Sequence, residues 1–192
     1  MTTVLYIHGF LSSPQSHKAR ITAEWLAKKR PEFAFLCPAL SSYPNEAAAT
    51  LAEIMLQRQH EKVLLIGSSL GGFWATWLIE EYTAAKAVLI NPAVAPQELV
   101  APLVGQPLKS YYTEHTYCLQ AKHVQYLVAC DQKHLSRPED YWLMVQTGDE
   151  TLDYRQAVTH YSGCKQTVEA GGDHGFQQYE KWLPEIIEFL ER

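Results

Sequence analysis

The chain has 192 residues, 47% of them hydrophobic, which is enough to bury a full core within one domain. Sixteen basic residues against 21 acidic ones leave a formal charge of −5 and no basic run beyond Lys28-Lys29-Arg30, which excludes a nucleic-acid footprint. Met1-Thr2-Thr3 carries no basic leader, no apolar stretch reaches membrane-spanning length, and Cys37, Cys118, Cys130 and Cys164 show no C-x-x-C spacing, so we expect a cytoplasmic chain with free thiols, neither exported nor inserted.

The first apolar run, Val4 to Ile7, has strand length and ends on His8-Gly9-Phe10. A glycine after a strand lets the backbone turn and aim an amide at a site, which makes the Phe10 N–H a candidate oxyanion donor. His8 itself reads as a structural histidine bonded inside the loop, and Ser12 and Ser13 as turn hydroxyls. A helix is predicted over 16–30, where the closing cations suit the negative end of the helix dipole. A strand from Phe33 to Cys37 and a helix over 46–59 follow.

Lys62 to Ile66 is the next strand, and it runs into Gly67-Ser68-Ser69-Leu70-Gly71 ahead of a helix predicted over 70–82. This strand, G-x-S-x-G, helix order is a nucleophile elbow. A hydroxyl is a poor nucleophile at neutral pH and must be presented on a sharp turn where a base can reach it. Glycines at 67 and 71 allow strand and helix to approach closely. Ser69 is the candidate nucleophile, and the Leu70 N–H, next in the chain, is the second oxyanion donor. Ser68 reads as a satisfied turn hydroxyl.

Ala87 to Asn91 is a further strand. From Pro92 to Glu139 the rhythm breaks, with Pro92, Pro96, Pro102, Pro107 and Pro138 and a cluster of Tyr111, Tyr112, Tyr117 and Tyr126. Its apolar and aromatic content argues for order, so residues 93–139 are expected to form a small cap over the carboxyl ends of the strands. Its tyrosines are expected to pack as the cap's own core, with an acyl pocket or a dimer contact as the alternatives. His115, His123, His134 and Asp131 lie at irregular spacing and read as packed or solvated residues, so no metal and no cofactor is expected.

Trp142 to Thr147 is the fifth strand, and Asp149 follows it at the same rim. A carboxylate there can accept the Nδ1 proton of an imidazole and fix its tautomer. Glu150 and Asp153 are rivals, Glu150 reading as a solvated neighbour and Asp153 as the cap of a helix over 153–161. After a last strand, Lys165 to Glu169, the loop Ala170-Gly171-Gly172-Asp173-His174-Gly175-Phe176 carries His174, the candidate base. Asp173 adjoins it, but consecutive side chains on an extended loop diverge. A helix over 177–191 closes the chain and is kinked or restarted by Pro184.

Apolar strands alternating with helices predict one α/β domain over 1–192, with a mostly parallel sheet of about six strands, helices on both faces and the cap insertion. The order serine, acid, histidine along the chain suits acyl transfer by a Ser69, Asp149, His174 triad. Tyr6-Ile7-His8-Gly9-Phe10, Ile66 to Phe73, Ile90-Asn91-Pro92-Ala93, Gln146-Thr147-Gly148-Asp149-Glu150 and Gly171-Gly172-Asp173-His174 together resemble the α/β-hydrolase superfamily in minimal form. More narrowly, the chain resembles the small bacterial YqiA/YcfP-type esterases. That resemblance implies a cytoplasmic serine esterase acting on small or short-acyl esters, with Ser69 as nucleophile, His174 as base and Asp149 as acid.

Two other readings stay open. An acyl-CoA thioesterase would need cations for the CoA phosphates, for which Lys109, Lys122, Lys133 and Arg137 are candidates. A degenerate fold serving as a binding or scaffold protein is the non-enzymatic alternative. The substrate is expected to be a small-molecule ester or thioester, with no nucleic-acid or membrane partner, and the oligomeric state is left open.

Overall fold

A computed structural model describes residues 1–82, 84 and 86–192. The chain runs β1 (Thr2–Ile7), α1 (His17–Lys29), β2 (Ala34–Leu36), α2 (Pro44–Gln57), β3 (Lys62–Ser68), α3 (Leu70–Glu81) and β4 (Lys86–Ile90). An insertion follows: α4 (Pro96–Val100), β5 (Pro107–Lys109), β6 (Thr116–Cys118) and α5 (Ala121–Cys130). It closes with β7 (Tyr141–Gln146), α6 (Tyr154–His160), β8 (Lys165–Glu169) and α7 (Leu183–Glu191). Among the described residues no helix is long and apolar enough to cross a membrane.

Six strands form one sheet in the order β2-β1-β3-β4-β7-β8, and every pairing in it is parallel. Continuous apolar runs suit a sheet covered on both faces, because alternate residues feed two separate cores. Leu5, Ile7, Leu65, Leu89 and Val145 pack with residues of α2, α3, α5 and α6. Val4, Tyr6, Leu64, Ile66 and Met144 pack on the other face with residues of α1 and α7. Each aliphatic side chain taken fully out of water contributes about 1.5–3 kcal/mol, and β1, β3, β4 and β7 are buried along nearly their whole length.

Helix starts follow local chemistry. The second helix begins at Pro44, two residues before the expected limit, because proline is tolerated in a first turn where its missing N–H has no acceptor. Pro184 likewise sits in the first turn of α7, after a 3₁₀ turn over Tyr179–Trp182. That is the expected restart.

The insertion lies along the α2 side of the molecule. Leu127 and Cys130 of α5 join the same core as α2 and α3. The β5–β6 hairpin is tied to the loop after β1, where the Leu11 carbonyl accepts the Tyr111 N–H at 2.9 Å and the Ser110 hydroxyl at 3.2 Å. The tyrosines do not form a core of their own. Tyr117 packs edge-on against Tyr43, with ring centroids 5.2 Å apart, while Tyr111 and Tyr112 are exposed. Two three-residue strands have no second layer under which to bury such rings.

The strand order reverses direction at β1: β2 lies on one side of it and β3 on the other. Such a switch point opens a crevice beyond the carboxyl ends of the two strands, where ligands bind in open parallel sheets.

Candidate active site

Ser69 stands between β3 and α3 with φ 57° and ψ −122°. A non-glycine residue held there costs on the order of 1–3 kcal/mol and persists only where its surroundings enforce it. The Ser69 N–H donates to the Ile90 carbonyl at 3.0 Å, and its carbonyl accepts from Gly72 at 2.9 Å and Ala93 at 3.1 Å. Close backbone approach explains the flanking glycines: a Cβ on Gly71 would lie 1.9 Å from the Ile7 carbonyl oxygen, and one on Gly67 2.3 Å from that of Gly71.

Three residues far apart in the chain meet at this point. The Ser69 hydroxyl lies 3.0 Å from His174 Nε2. His174 Nδ1 lies 2.8 Å and 3.0 Å from Asp149 Oδ2 and Oδ1. With a carboxylate facing Nδ1, that nitrogen holds the proton and donates, which leaves the Nε2 lone pair to accept from the serine hydroxyl. The Asp149 side chain is 1% exposed, while His174 is 25% exposed and reachable from solvent. Burial pushes the Asp149 carboxyl up, but the bond from His174 and the N–H groups of Leu152 and Thr151, each 2.9 Å away, outweigh it. The carboxyl therefore stays below its usual range and remains ionised.

Two buried amide side chains hold the His174 loop against the sheet. Asn91, with φ 40° at the end of β4, donates from Nδ2 to the Asp173 carbonyl at 3.0 Å and the His174 carbonyl at 3.2 Å. Its Oδ1 accepts the Gln146 N–H at 3.0 Å. Gln146, the last residue of β7, accepts the N–H groups of Gln177 at 2.8 Å and Asp173 at 3.3 Å. Neither residue was singled out for a role from sequence. Their signal was a polar residue closing an otherwise apolar run, since a buried amide must find partners.

The rivals of Asp149 have other work. Asp153 accepts the Arg155 N–H at 3.0 Å and caps α6, as read. Glu150 is exposed, but it is more than a solvated neighbour, because its carboxylate accepts the His174 N–H at 3.0 Å. Asp173 turns toward Gln177, whose side-chain amide it accepts at 2.9 Å.

The turn after β1 lies against the serine. A Cβ on Gly9 would come within 3.2 Å of the Ser69 Cβ and 3.6 Å of its Oγ, which brings the Gly9-Phe10 segment alongside the hydroxyl. Leu70 opens α3, where a first-turn N–H has no intrahelical acceptor. His8 is buried and accepts the Leu40 N–H on Nε2 at 3.0 Å, so its Nδ1 proton goes to the Gly9 carbonyl at 2.9 Å. Burial pulls its pKa down, with the bonds to Gly9 and Pro38 opposing. It braces the turn.

A cavity of about 460 Å³ opens beside Ser69 and His174, and Phe10, Lys18, Tyr111 and Tyr112 are among its walls. Ser12 and Ser68 line it as well, while the Ser13 hydroxyl accepts the Gln15 N–H in a turn. Lys109, Lys122, Lys133 and Arg137 are not among its lining residues. Lys109 pairs with Glu114 at 2.9 Å, Arg137 with Asp140 at 3.1 Å, and Lys133 with Asp131. His123 accepts the Gln120 N–H at 3.0 Å and so caps α5. Among the described residues no group of three or more His, Cys, Asp or Glu side chains is placed to hold a metal ion.

The sequence model of a family described as "Uncharacterised protein family (UPF0227)" matches residues 3–191. Among solved structures, a putative hydrolase from Agrobacterium vitis S4 is similar with a TM-score of 0.79 at 17% identity, over 98% of this chain and 88% of that one. Est1E from Butyrivibrio proteoclasticus, with ferulic acid bound, is similar with a TM-score of 0.72 at 12% identity, over 100% of this chain and 88% of that one. Alpha/beta hydrolase domain-containing protein 10 from mouse is similar with a TM-score of 0.72 at 16% identity, over 98% and 89%. The fold is thus that of the α/β hydrolases.

Proposed function

The chain belongs to the uncharacterised protein family UPF0227, and from that premise and the geometry of its site we propose that it is a serine hydrolase of small carboxylic esters. Ser69 Oγ attacks the ester carbonyl while His174 Nε2 takes the hydroxyl proton. Asp149 holds the imidazole in the productive tautomer and stabilises the imidazolium without taking its proton. The Phe10 and Leu70 N–H groups receive the developing oxyanion. Collapse breaks the bond to the alcohol, which leaves with the proton from His174 and an acyl group on Ser69. Water repeats the sequence, frees the acid and restores the serine.

The observation that carries this reading is the 3.0 Å contact from Ser69 Oγ to His174 Nε2, with the buried Asp149 behind it. A cavity of about 460 Å³ suits a small substrate. The similarity to proteins named as hydrolases agrees with hydrolytic chemistry. No observation favours the thioesterase reading, since three of the four cations it would need are paired with neighbours and none lines the cavity.

Labelling with a fluorophosphonate, followed by mapping of the adduct by mass spectrometry, tests the nucleophile. Modification at Ser69 is expected and would leave the scaffold reading untenable. Ser69→Ala should lower kcat on a short-chain ester by roughly four to six orders of magnitude. An unchanged rate in that variant ends the proposal. Matched oxygen esters and CoA thioesters then separate the two substrate classes.

A further inference from the structure

Leu11 occupies a backbone position that suits glycine. Residues 9–12 form a tight turn, closed by the Ser12 N–H to the Gly9 carbonyl at 3.3 Å, and Leu11, third in that turn, has φ 56°. A positive φ at the third position is the type II requirement that glycine or asparagine meets without strain. A leucine persists there only where its surroundings enforce it. Its side chain is buried, and both of its backbone groups are taken by residues distant in the chain. The Leu11 N–H donates to the Ser42 hydroxyl at 3.1 Å. The Leu11 carbonyl accepts the Ser110 hydroxyl at 3.2 Å and the Tyr111 N–H at 2.9 Å.

Ser42 lies in the loop before α2 and Ser110 directly after β5, and both are buried. The Ser110 hydroxyl also accepts the N–H groups of Tyr112 and Thr113, each at 3.3 Å, so its one proton is committed to Leu11. Neither serine lines the cavity beside Ser69. What they hold is the turn that carries the Phe10 N–H. The Gly9 carbonyl and the Phe10 N–H belong to one planar peptide and point opposite ways, so whatever fixes the carbonyl fixes the donor. That carbonyl accepts from His8 Nδ1 at 2.9 Å and from the closing Ser12 N–H, and the second bond exists only while Leu11 keeps its positive φ. The Phe10 N–H itself has no acceptor among the described residues.

We propose that Ser42 and Ser110 are positioning residues of the oxyanion hole: they hold Leu11 in its left-handed conformation, and the resulting turn aims the Phe10 N–H at the substrate oxygen that becomes negative. Through Ser110 the insertion is a working part of the catalytic site as well as a wall beside it. The inference rests on the hydrolase reading, in which Phe10 is an oxyanion donor. A donor that meets charge developing in the transition state acts on kcat and leaves ground-state binding nearly alone.

Ser42→Ala and Ser110→Ala each remove one side-chain partner of Leu11. Hydrolysis of a short-chain ester is measured per active site, titrated with fluorophosphonate. In both variants kcat should fall about tenfold to a hundredfold, less than the roughly 10²–10³ lost with a whole donor, while KM stays within about twofold. Inhibition by a short-chain trifluoromethyl ketone isolates the oxyanion: Ser69 Oγ adds to the carbonyl carbon, its proton passes to His174, and the carbonyl oxygen becomes the anion. The inhibition constant should weaken by the same factor as kcat/KM. Ser41→Ala is the control, since it removes a hydroxyl that accepts the Tyr43 N–H at 3.1 Å in the same loop and makes no bond to Leu11; its kcat should match the parent. If Ser42→Ala does not fold, Ser42→Cys, of nearly the same size and with a weaker acceptor, is read in its place and should lower kcat in the same direction. An unchanged kcat in the Ser42 and Ser110 variants, a change confined to KM, an equal fall in Ser41→Ala, or an inhibition constant that does not follow kcat/KM overturns the proposal. Mapping of the fluorophosphonate adduct in the parent keeps the two readings apart. No label at Ser69 removes the hydrolase reading and this proposal with it, whereas label at Ser69 together with any of those results removes the proposal alone.

Discussion

Asn91→Asp is the most informative single change, because it alters the clamp on the His174 loop and almost nothing else. The new side chain has the same shape, leaves no cavity, and tolerates the φ of 40° at this position as asparagine does. Its oxygen still accepts the Gln146 N–H at 3.0 Å. What it loses is the pair of donations to the Asp173 and His174 carbonyls, at 3.0 Å and 3.2 Å. Two such bonds are worth about 0.5–1.5 kcal/mol each, so the loss is about 1–3 kcal/mol. For a chain of this size each kcal/mol lowers Tm by roughly 2–4 °C, which gives a fall of about 2–12 °C. The fall should depend on pH. A protonated carboxyl can still donate to one carbonyl, whereas the ionised form faces two carbonyl oxygens in a buried site, so the folded pKa rises above its unfolded value near 3.9. A group with a raised folded pKa contributes stability that is present below the unfolded value and lost as pH climbs through the folded one. The Tm gap between variant and parent should therefore widen from pH 4.5 to pH 8 in thermal unfolding followed by circular dichroism. Ester hydrolysis at pH 8 should show kcat falling further than KM rises, because the base and not the binding wall has been loosened. A constant gap of less than 1 °C, or an intact kcat in a clearly destabilised variant, would refute the clamp.

Asp149→Asn should cut kcat by about four orders of magnitude, since an amide facing Nδ1 favours the wrong tautomer; steady-state kinetics on one ester would show it. Asp149 has a depressed folded pKa, so its stabilisation is present above the unfolded value and lost as pH falls through the folded one. Acid unfolding of the parent below about pH 4 should consequently be steeper than that of Asp149→Asn, and parallel curves would contradict the assigned ionisation. Gly71→Ala would force a Cβ to within 1.9 Å of the Ile7 carbonyl oxygen and should cost about 3 kcal/mol or more in denaturant unfolding. Gly163→Ala, whose nearest neighbour is the Pro138 Cβ at 3.4 Å, should stay within about 0.5 kcal/mol and serves as its control.

The six strands of the main sheet were legible because burial on both faces demands unbroken apolar runs, and each lies within two residues of its expected limits. The elbow was legible for a related reason, since Gly67 and Gly71 answer to backbone contacts that no side chain allows. Other features depend on distant partners and leave a weaker local trace. Asn91 meets the His174 loop across 83 residues of chain, and Gln146 reaches Gln177 across 31, so their polarity is visible in the sequence while their partners are not. Helix α5 buries His123, Leu127 and Cys130 at helical spacing, a signal hidden among the prolines and tyrosines on either side. Among Asp149, Glu150 and Asp153, sequence could rank the acids but not orient them. The turn after β7 gives the Asp149 carboxylate two amide donors of its own and sends the other two side chains elsewhere. Lys18 looks like any helix-start lysine until the loop after β1 brings α1 beside Ser69.

Ser69 owes its reactivity in this mechanism to His174, whose Nε2 lies 3.0 Å from the hydroxyl. The most direct measurement is the second-order rate of fluorophosphonate modification at Ser69, followed by mass spectrometry in the parent and in His174→Ala. The parent should react at Ser69 alone. His174→Ala should react at least a thousandfold more slowly. Equal rates in the two proteins, or modification at another residue, would contradict the account.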